Sequence, residues 1–124
     1  MEPASLTDLQ LSLMNALWRV GEGTVGDVHA VLSGEGRVLA PTTVATLLQR
    51  LHKQGWVKHR KQGRQYVYRA ARAQKDVASG VLQRVLSSFF GGNVSALAAQ
   101  LLESEQLRPQ DLAELRSLLK KRRP

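Results

Sequence analysis

The chain has 124 residues, 43% apolar and 23% charged, with no cysteine and a formal net charge of +8. This is the size of one typical domain, or of one small domain with an appendage. It excludes disulfides, zinc ribbons and thiolate metal sensing, and it strains a doubly wound dinucleotide-binding fold built from two halves.

No apolar run approaches the ~18 residues of a membrane span. The opening MEPASLTDLQ lacks the basic start and apolar stretch of a secretory signal. A cytoplasmic protein with no direct membrane association is expected. The first helix is signposted by Thr7 and Gln10, spaced as a capping box, with Leu6 and Leu11 at the staple positions. Leu9, Leu13, Leu17 and Val20, with Met14 and Trp18 beside them, then form an apolar stripe that ends at Gly21.

Gly21 to Gly26, GEGTVG, has the G-x-G-x-x-G spacing of a dinucleotide-binding turn. That turn needs a strand before it and an acid about 20 residues after it. Here a helix precedes the glycines, and Arg37 to Lys53 holds no acid. The stretch reads instead as the loop ending the first helix, with Thr24 and Asp27 capping the second. Val25, Val28, Val31 and Leu32 line one face of that second helix, and Ser33 to Gly36 end it.

The third helix starts at Pro41, suited to the first helical position because its φ is preset and it has no N–H. Val44, Leu47, Leu48 and Leu51 follow the i, i+3, i+4, i+7 rule; Thr42, Thr43, Thr46, Gln49, Arg50 and Lys53 take the other face, and Gly55 stops the helix. Trp56 to Arg69 reads as a hairpin turning at Gln62-Gly63, with Tyr66 and Tyr68 sharing one face. The last third is helical. One stripe holds Val77, Val81, Leu82, Val85, Leu86 and Phe89, closed by Gly91-Gly92; a short helix capped by Asn93 holds Val94, Leu97, Leu101 and Leu102; a last helix from Pro109 holds Leu112, Leu115, Leu118 and Leu119. In that last helix Asp111 and Glu114 come first and Lys120 to Arg123 last, the order the helix dipole favours.

The positive charge is confined. From Gly36 to Lys75 there are ten basic residues and no acid, whereas the flanks together are net −2. A one-sign stretch attracts polyanions, most simply nucleic acid. Three helices followed by a basic hairpin is the order of a winged helix-turn-helix. The expected fold is therefore mainly α with a small β-hairpin: a winged-helix DNA-binding domain over residues 1–72 and a helical dimerisation domain over 73–124. In this arrangement the N-terminal residues of the third helix reach base edges. The candidates are Thr42, Thr43 and Thr46, whose hydroxyls meet bases or phosphates and whose methyls meet thymine. Arg50 and Lys53 lie further along, and Arg60, Lys61 and Arg64 load the hairpin with charge for the flanking backbone.

The stretch TTVATLLQRLHKQGWVKHRKQGRQYVY resembles the core of the penicillinase-repressor family, which includes methicillin-resistance and copper-responsive repressors. LSLMNALWRVGEGTVGDVHAVL is similar to its opening helices, and FFGGNVSALAAQLL with LRPQDLAELRSLL to its dimerisation region. The resemblance implies a homodimer on a pseudo-palindromic operator, repressing transcription. It implies a dimer interface carried by Val81, Leu82, Val85, Leu86, Phe89, Leu97, Leu101, Leu112, Leu115 and Leu119. It also implies release by a membrane sensor-protease system that causes cleavage in the C-terminal region; the family's Asn-Phe bond aligns here with Gln100-Leu101. The cysteine metal hook of the copper branch has no counterpart. On the third helix, some relatives carry a basic residue where Thr42 and Ala45 stand here.

The residues alone give the dimer a further reason: so small a protein would expose long apolar stripes unless a partner covered them. The alternative at that level is that these helices fold back on the N-terminal domain. No cofactor and no metal are expected, because His29, His52 and His59 are widely spaced and form no H-x-x-x-H motif. No enzyme motif is present, so the chain is read as a non-enzyme. The competing function is a winged-helix module whose basic face docks an acidic protein.

Overall fold

Thr7 opens the first helix, α1 (Asp8–Val20), through the expected capping box. Its hydroxyl accepts the Gln10 backbone N–H at 3.1 Å, and its own N–H donates to Gln10 Oε1 at 3.0 Å. Thr24 does the same with Asp27 at the start of α2 (Val25–Gly34). The third helix, α3 (Pro41–Lys53), has no side-chain cap and starts on Pro41. This computed structural model describes residues 6–122. The expectations for the N-terminal MEPAS and for Arg123 lie outside the described residues.

α3 ends in a Schellman motif. Gly55, at φ 84°, donates to the His52 carbonyl, and Trp56 N–H donates back to Leu51 at 2.9 Å. The motif turns the chain so that Trp56, only 1% exposed, drops into the core beside Leu51. The core is completed by Leu13, Met14 and Leu17 from α1, Val28 and Leu32 from α2, and Val44 and Leu48 from α3. Each such side chain contributes roughly 1.5–3 kcal/mol by leaving water. That burial fixes which face of α3 remains outside.

The hairpin is β2 (Val57–Gln62) and β3 (Gln65–Ala70), antiparallel, with Gln62 paired to Gln65. The turn is therefore Gly63-Arg64, one residue later than Gln62-Gly63. Gly63 carries the positive φ, 64°, that a two-residue hairpin turn needs at its first central position. A third strand joins it: β1 (Glu22–Gly23) pairs with β3, giving the order β1-β3-β2. Its two residues are too few to display an alternating pattern, so this stretch looks like a loop in the sequence. The strand exists because the β3 edge offers backbone partners to the chain leaving α1. Gly23 is buried, and a Cβ on it would stand 3.0 Å from the Asp27 Cβ. So the GEGTVG stretch joins the sheet to the α2 cap and is not a phosphate cradle.

α4 (Gln74–Phe90), α5 (Val94–Glu103) and α6 (Pro109–Arg122) follow. The chain divides into two compact units, one ending at Val81 and the other starting at Leu82, inside α4. The expected boundary at residue 72 precedes this point. The stretch after residue 72 is tied to the first unit: Gln74 Nε2 donates to Asn15 Oδ1 at 3.4 Å, and Val77 is buried in the first core, just beyond the Arg72 carbonyl that accepts from Trp18 Nε1 at 2.8 Å. No residue of α5 or α6 is buried. No single helix among the described residues is long and apolar enough to cross a membrane.

Candidate nucleic-acid interface

Because Val44, Leu48 and Leu51 are buried, Thr42, Thr43, Thr46, Gln49, Arg50 and Lys53 are all left exposed on the outer face of α3. The three threonines are not equivalent. Thr46 donates its hydroxyl to the Thr42 carbonyl at 3.0 Å. Its proton is spent inside the helix, which leaves an acceptor lone pair and a methyl for a ligand.

Strand alternation divides the hairpin cations between two faces. His59, Lys61, Tyr66 and Tyr68 share the face toward α3. There His59 stacks on His52 of α3 at 3.9 Å between ring centroids, with planes 20° apart. Tyr66 covers the other side of His59 at 4.1 Å, and Tyr68 meets it edge-on at 5.4 Å. Lys58, Arg60 and Arg69 occupy the opposite face. Arg60 is engaged there: it donates to Glu22 of β1 at 2.9 Å and to Gln62 at 3.0 Å. Arg60 and Lys61, adjacent in the sequence, thus face different surroundings.

Between α3 and the hairpin lies an open crevice of about 270 Å³, lined by Thr24, Val25, Gly26, Ala45, Gln49, Arg64, Gln65, Tyr66 and Tyr68. Of the cations, Arg64 lines this crevice, while Arg50 and Lys53 are exposed on α3 and Lys61 on β2, all without an acidic partner among the described residues. The nearby acids are occupied: Glu22 by Arg60, Asp27 by the Thr24 N–H, and Glu35 by Arg19. The crevice is thus polar and carries the Arg64 guanidinium, on a surface whose exposed cations suit a polyanion. Burial raises the Tyr68 hydroxyl above its ordinary value, and Tyr66 beside it adds to the shift.

His52 and His59 stand seven positions apart and share no ligand-like spacing, yet the fold brings their rings together. The sequence carried no signal for this, because the contact depends on the hairpin's register against α3. His29 is separate and bonds the Leu39 carbonyl at 2.8 Å. Trp18 and Trp56 pack with the core, as expected from their apolar faces. The described residues hold no cluster of three or more metal-ligating side chains.

The expected dimer residues lie mostly in the second unit. Leu82, Phe89, Leu101, Leu112, Leu115 and Leu119 are exposed in the single chain, as is Val81, whereas Val85, Leu86 and Leu97 are half-buried. Gln100 and Leu101 sit exposed within α5.

A sequence model described as the penicillinase repressor matches residues 6–121. The penicillinase repressor of Bacillus licheniformis is 28% identical over 92% of this chain and 88% of its own length. The methicillin resistance regulatory protein MecI of Mammaliicoccus sciuri is 21% identical over 94% of each chain. Among solved structures, the DNA-binding domain of the repressor BlaI superposes with a TM-score of 0.52 at 30% identity. That match covers 61% of this chain and 93% of that domain.

Proposed function

The chain belongs to the penicillinase repressor family, and on that premise we propose that it is a cytoplasmic transcriptional repressor that binds operator DNA as a homodimer. The observation that carries this reading is the exposed polar face of α3 beside a hairpin whose Lys61 and Arg64 have no acidic partner among the described residues. In the proposed complex α3 enters the major groove. Thr42 and Thr43 present free hydroxyls to base edges, Thr46 presents its methyl and lone pair, and the hairpin lies against the flanking backbone. A two-fold dimer through the exposed leucines of α4 to α6 sets two such helices on two half-sites, so protein symmetry matches operator symmetry.

The proposal extends to release. Cleavage at Gln100-Leu101, triggered by a membrane sensor-protease, would cut α5 and remove part of the dimer interface. The bond is exposed but helical, so a protease reaches it only after α5 unwinds locally. That unwinding is favoured by the absence of any buried residue in the helix.

The test is selection of genomic fragments by the full chain at physiological salt. A palindromic site bound far more tightly than random duplex supports the reading. Equal affinity for both overturns it, as does recovery of a single acidic protein with only weak duplex binding. Thr43→Ala and Thr46→Ala should alter which sequences are selected, at about 1–3 kcal/mol per lost base contact.

A further inference from the structure

Tyr68 is only 3% exposed, yet its hydroxyl makes no hydrogen bond to any described residue. Its oxygen is not sealed away either, since the described residues hold no buried side-chain polar atom without a partner. The hydroxyl therefore opens on the crevice between α3 and the hairpin, of whose lining residues Tyr68 is the most deeply buried. Polar groups in protein interiors are paired, so an unpaired donor deep in a crevice points to a ligand. We propose that this crevice is an oxyanion site to which the Tyr68 hydroxyl donates.

The rest of the lining supplies donors and no carboxylate. Arg64 brings a guanidinium with no acidic partner, and Gln49 and Gln65 bring amides that bond no described residue. Gly26 has no side chain, so it lines the crevice with backbone, in the first turn of α2. In that turn the Asp27 N–H goes to the Thr24 hydroxyl at 3.1 Å, while the N–H groups of Val25 and Gly26 precede the first helical bond, from Val28 to Thr24. The acid at this helix end, Asp27, accepts the Thr24 N–H at 3.0 Å and does not line the crevice. Gly21 and Gly23 do not line it either, so this is a helix end beside a hairpin and not a glycine cradle. A group made only of acceptors and carrying negative charge matches such a lining: a phosphoryl or carboxylate oxyanion.

The crevice, about 270 Å³ and open to solvent, admits a small free anion or one phosphate projecting from a longer chain. Gln49 also belongs to the outer face of α3. A free anion seated here would thus put negative charge on the surface proposed to meet DNA. A backbone phosphate and a free anion would use the same donors and exclude one another, which makes duplex affinity sensitive to the anion beyond its ionic strength. The part that concerns DNA rests on the reading that α3 and the hairpin contact it; the site itself does not.

Two arms distinguish the sources. In the first, the full-length chain without DNA is titrated with inorganic phosphate, against chloride at equal ionic strength, and followed by NMR at the Tyr68 ring and the Gly26 and Arg64 amides. Saturable shifts are expected with phosphate and not with chloride. Tyr68→Phe deletes a hydroxyl that bonds no protein group, so the fold is kept; it should weaken phosphate binding about tenfold, the loss of one hydrogen bond to a charged acceptor. In the second arm, a duplex recovered by genomic selection is rebuilt with single neutral methylphosphonate linkages. At one position the substitution should weaken binding by wild type several-fold and leave binding by Tyr68→Phe unchanged, a coupling that a general loss of stability does not produce. Phosphate shifts alone identify a free anion as the occupant, coupling alone a backbone phosphate, and both together the competition. Neither, or phosphate binding undiminished in Tyr68→Phe without coupling, overturns the proposal while leaving selective DNA binding intact. A chain that selects no duplex overturns the repressor reading, and the phosphate titration still decides the site.

Discussion

Lys61 and Arg60 are adjacent, and sequence gives no reason to separate them. The fold separates them completely. Lys61 lies on the α3 side of the hairpin with no acidic partner, while Arg60 is held by Glu22 and Gln62 on the far side. Exposed ion pairs of this kind are weak, but this one still competes with phosphate for the same guanidinium. Lys61→Ala should therefore weaken duplex binding alike across sequences and reduce the salt slope by about one. Arg60→Ala should do less of both, as read by fluorescence anisotropy across a salt series. An Arg60→Ala loss as large as that of Lys61→Ala would show that Glu22 releases the arginine on binding.

Tyr68 gives a second prediction at this scale. Burial and its neighbour Tyr66 raise the folded-state value of its hydroxyl above the unfolded one. The neutral phenol is thus favoured in the fold. Its contribution to stability is complete below about pH 10, the unfolded value, and is lost as pH rises through the folded value. Chemical denaturation should show stability falling above pH 10, with tyrosinate absorbance rising as the chain unfolds. Tyr68→Phe should keep more of its stability in that range. If wild type and Tyr68→Phe lost stability in parallel, the alkaline fall would have another source.

At the scale of elements, the legible parts were those whose signals are local. Both threonine capping boxes, Pro41 at the start of α3 and Gly55 at its end are each decided within a few residues, and each occurs as read. The threonine face of α3 was legible for the same reason, since helical periodicity alone separates it from Val44, Leu48 and Leu51. What could not be read depends on partners distant in the chain. β1 is defined only by the β3 edge, the His52–His59 stack only by the hairpin's position against α3, and the Arg60–Glu22 pair only by strand order. The turn shifted by one residue because Gly63 serves at the first central position of a two-residue turn, and composition does not distinguish that from the second. Gly63→Val tests this element. A β-branched side chain at φ 64° costs on the order of 1–3 kcal/mol of backbone strain. It should loosen the hairpin tip and lower duplex affinity, with helical circular dichroism retained. Undiminished affinity would mean that the tip lies clear of the DNA.

For the whole molecule the question is what covers the second unit. α5 and α6 bury no residue in the single chain, and Phe89 is 80% and Leu119 66% exposed. Leaving so many apolar side chains in water forfeits roughly 1.5–3 kcal/mol each relative to burial. Scattered exposed leucines are ordinary, but apolar stripes left exposed on three successive helices point to an interaction surface. The homodimer proposed above is the occupant that would also serve the first unit. Two half-sites bound by one molecule turn the second contact into an intramolecular event, which raises affinity by orders of magnitude without new contacts. Replacing Leu101 and Leu115 together by glutamate places charges within that surface. Sedimentation should then show a monomer, the helical content should persist in the first unit, and operator affinity should fall at least tenfold while the salt slope per bound chain stays near that of one half-site. A variant that remained dimeric would move the interface away from α5 and α6. A monomer with undiminished operator affinity would show that each chain reads its site alone.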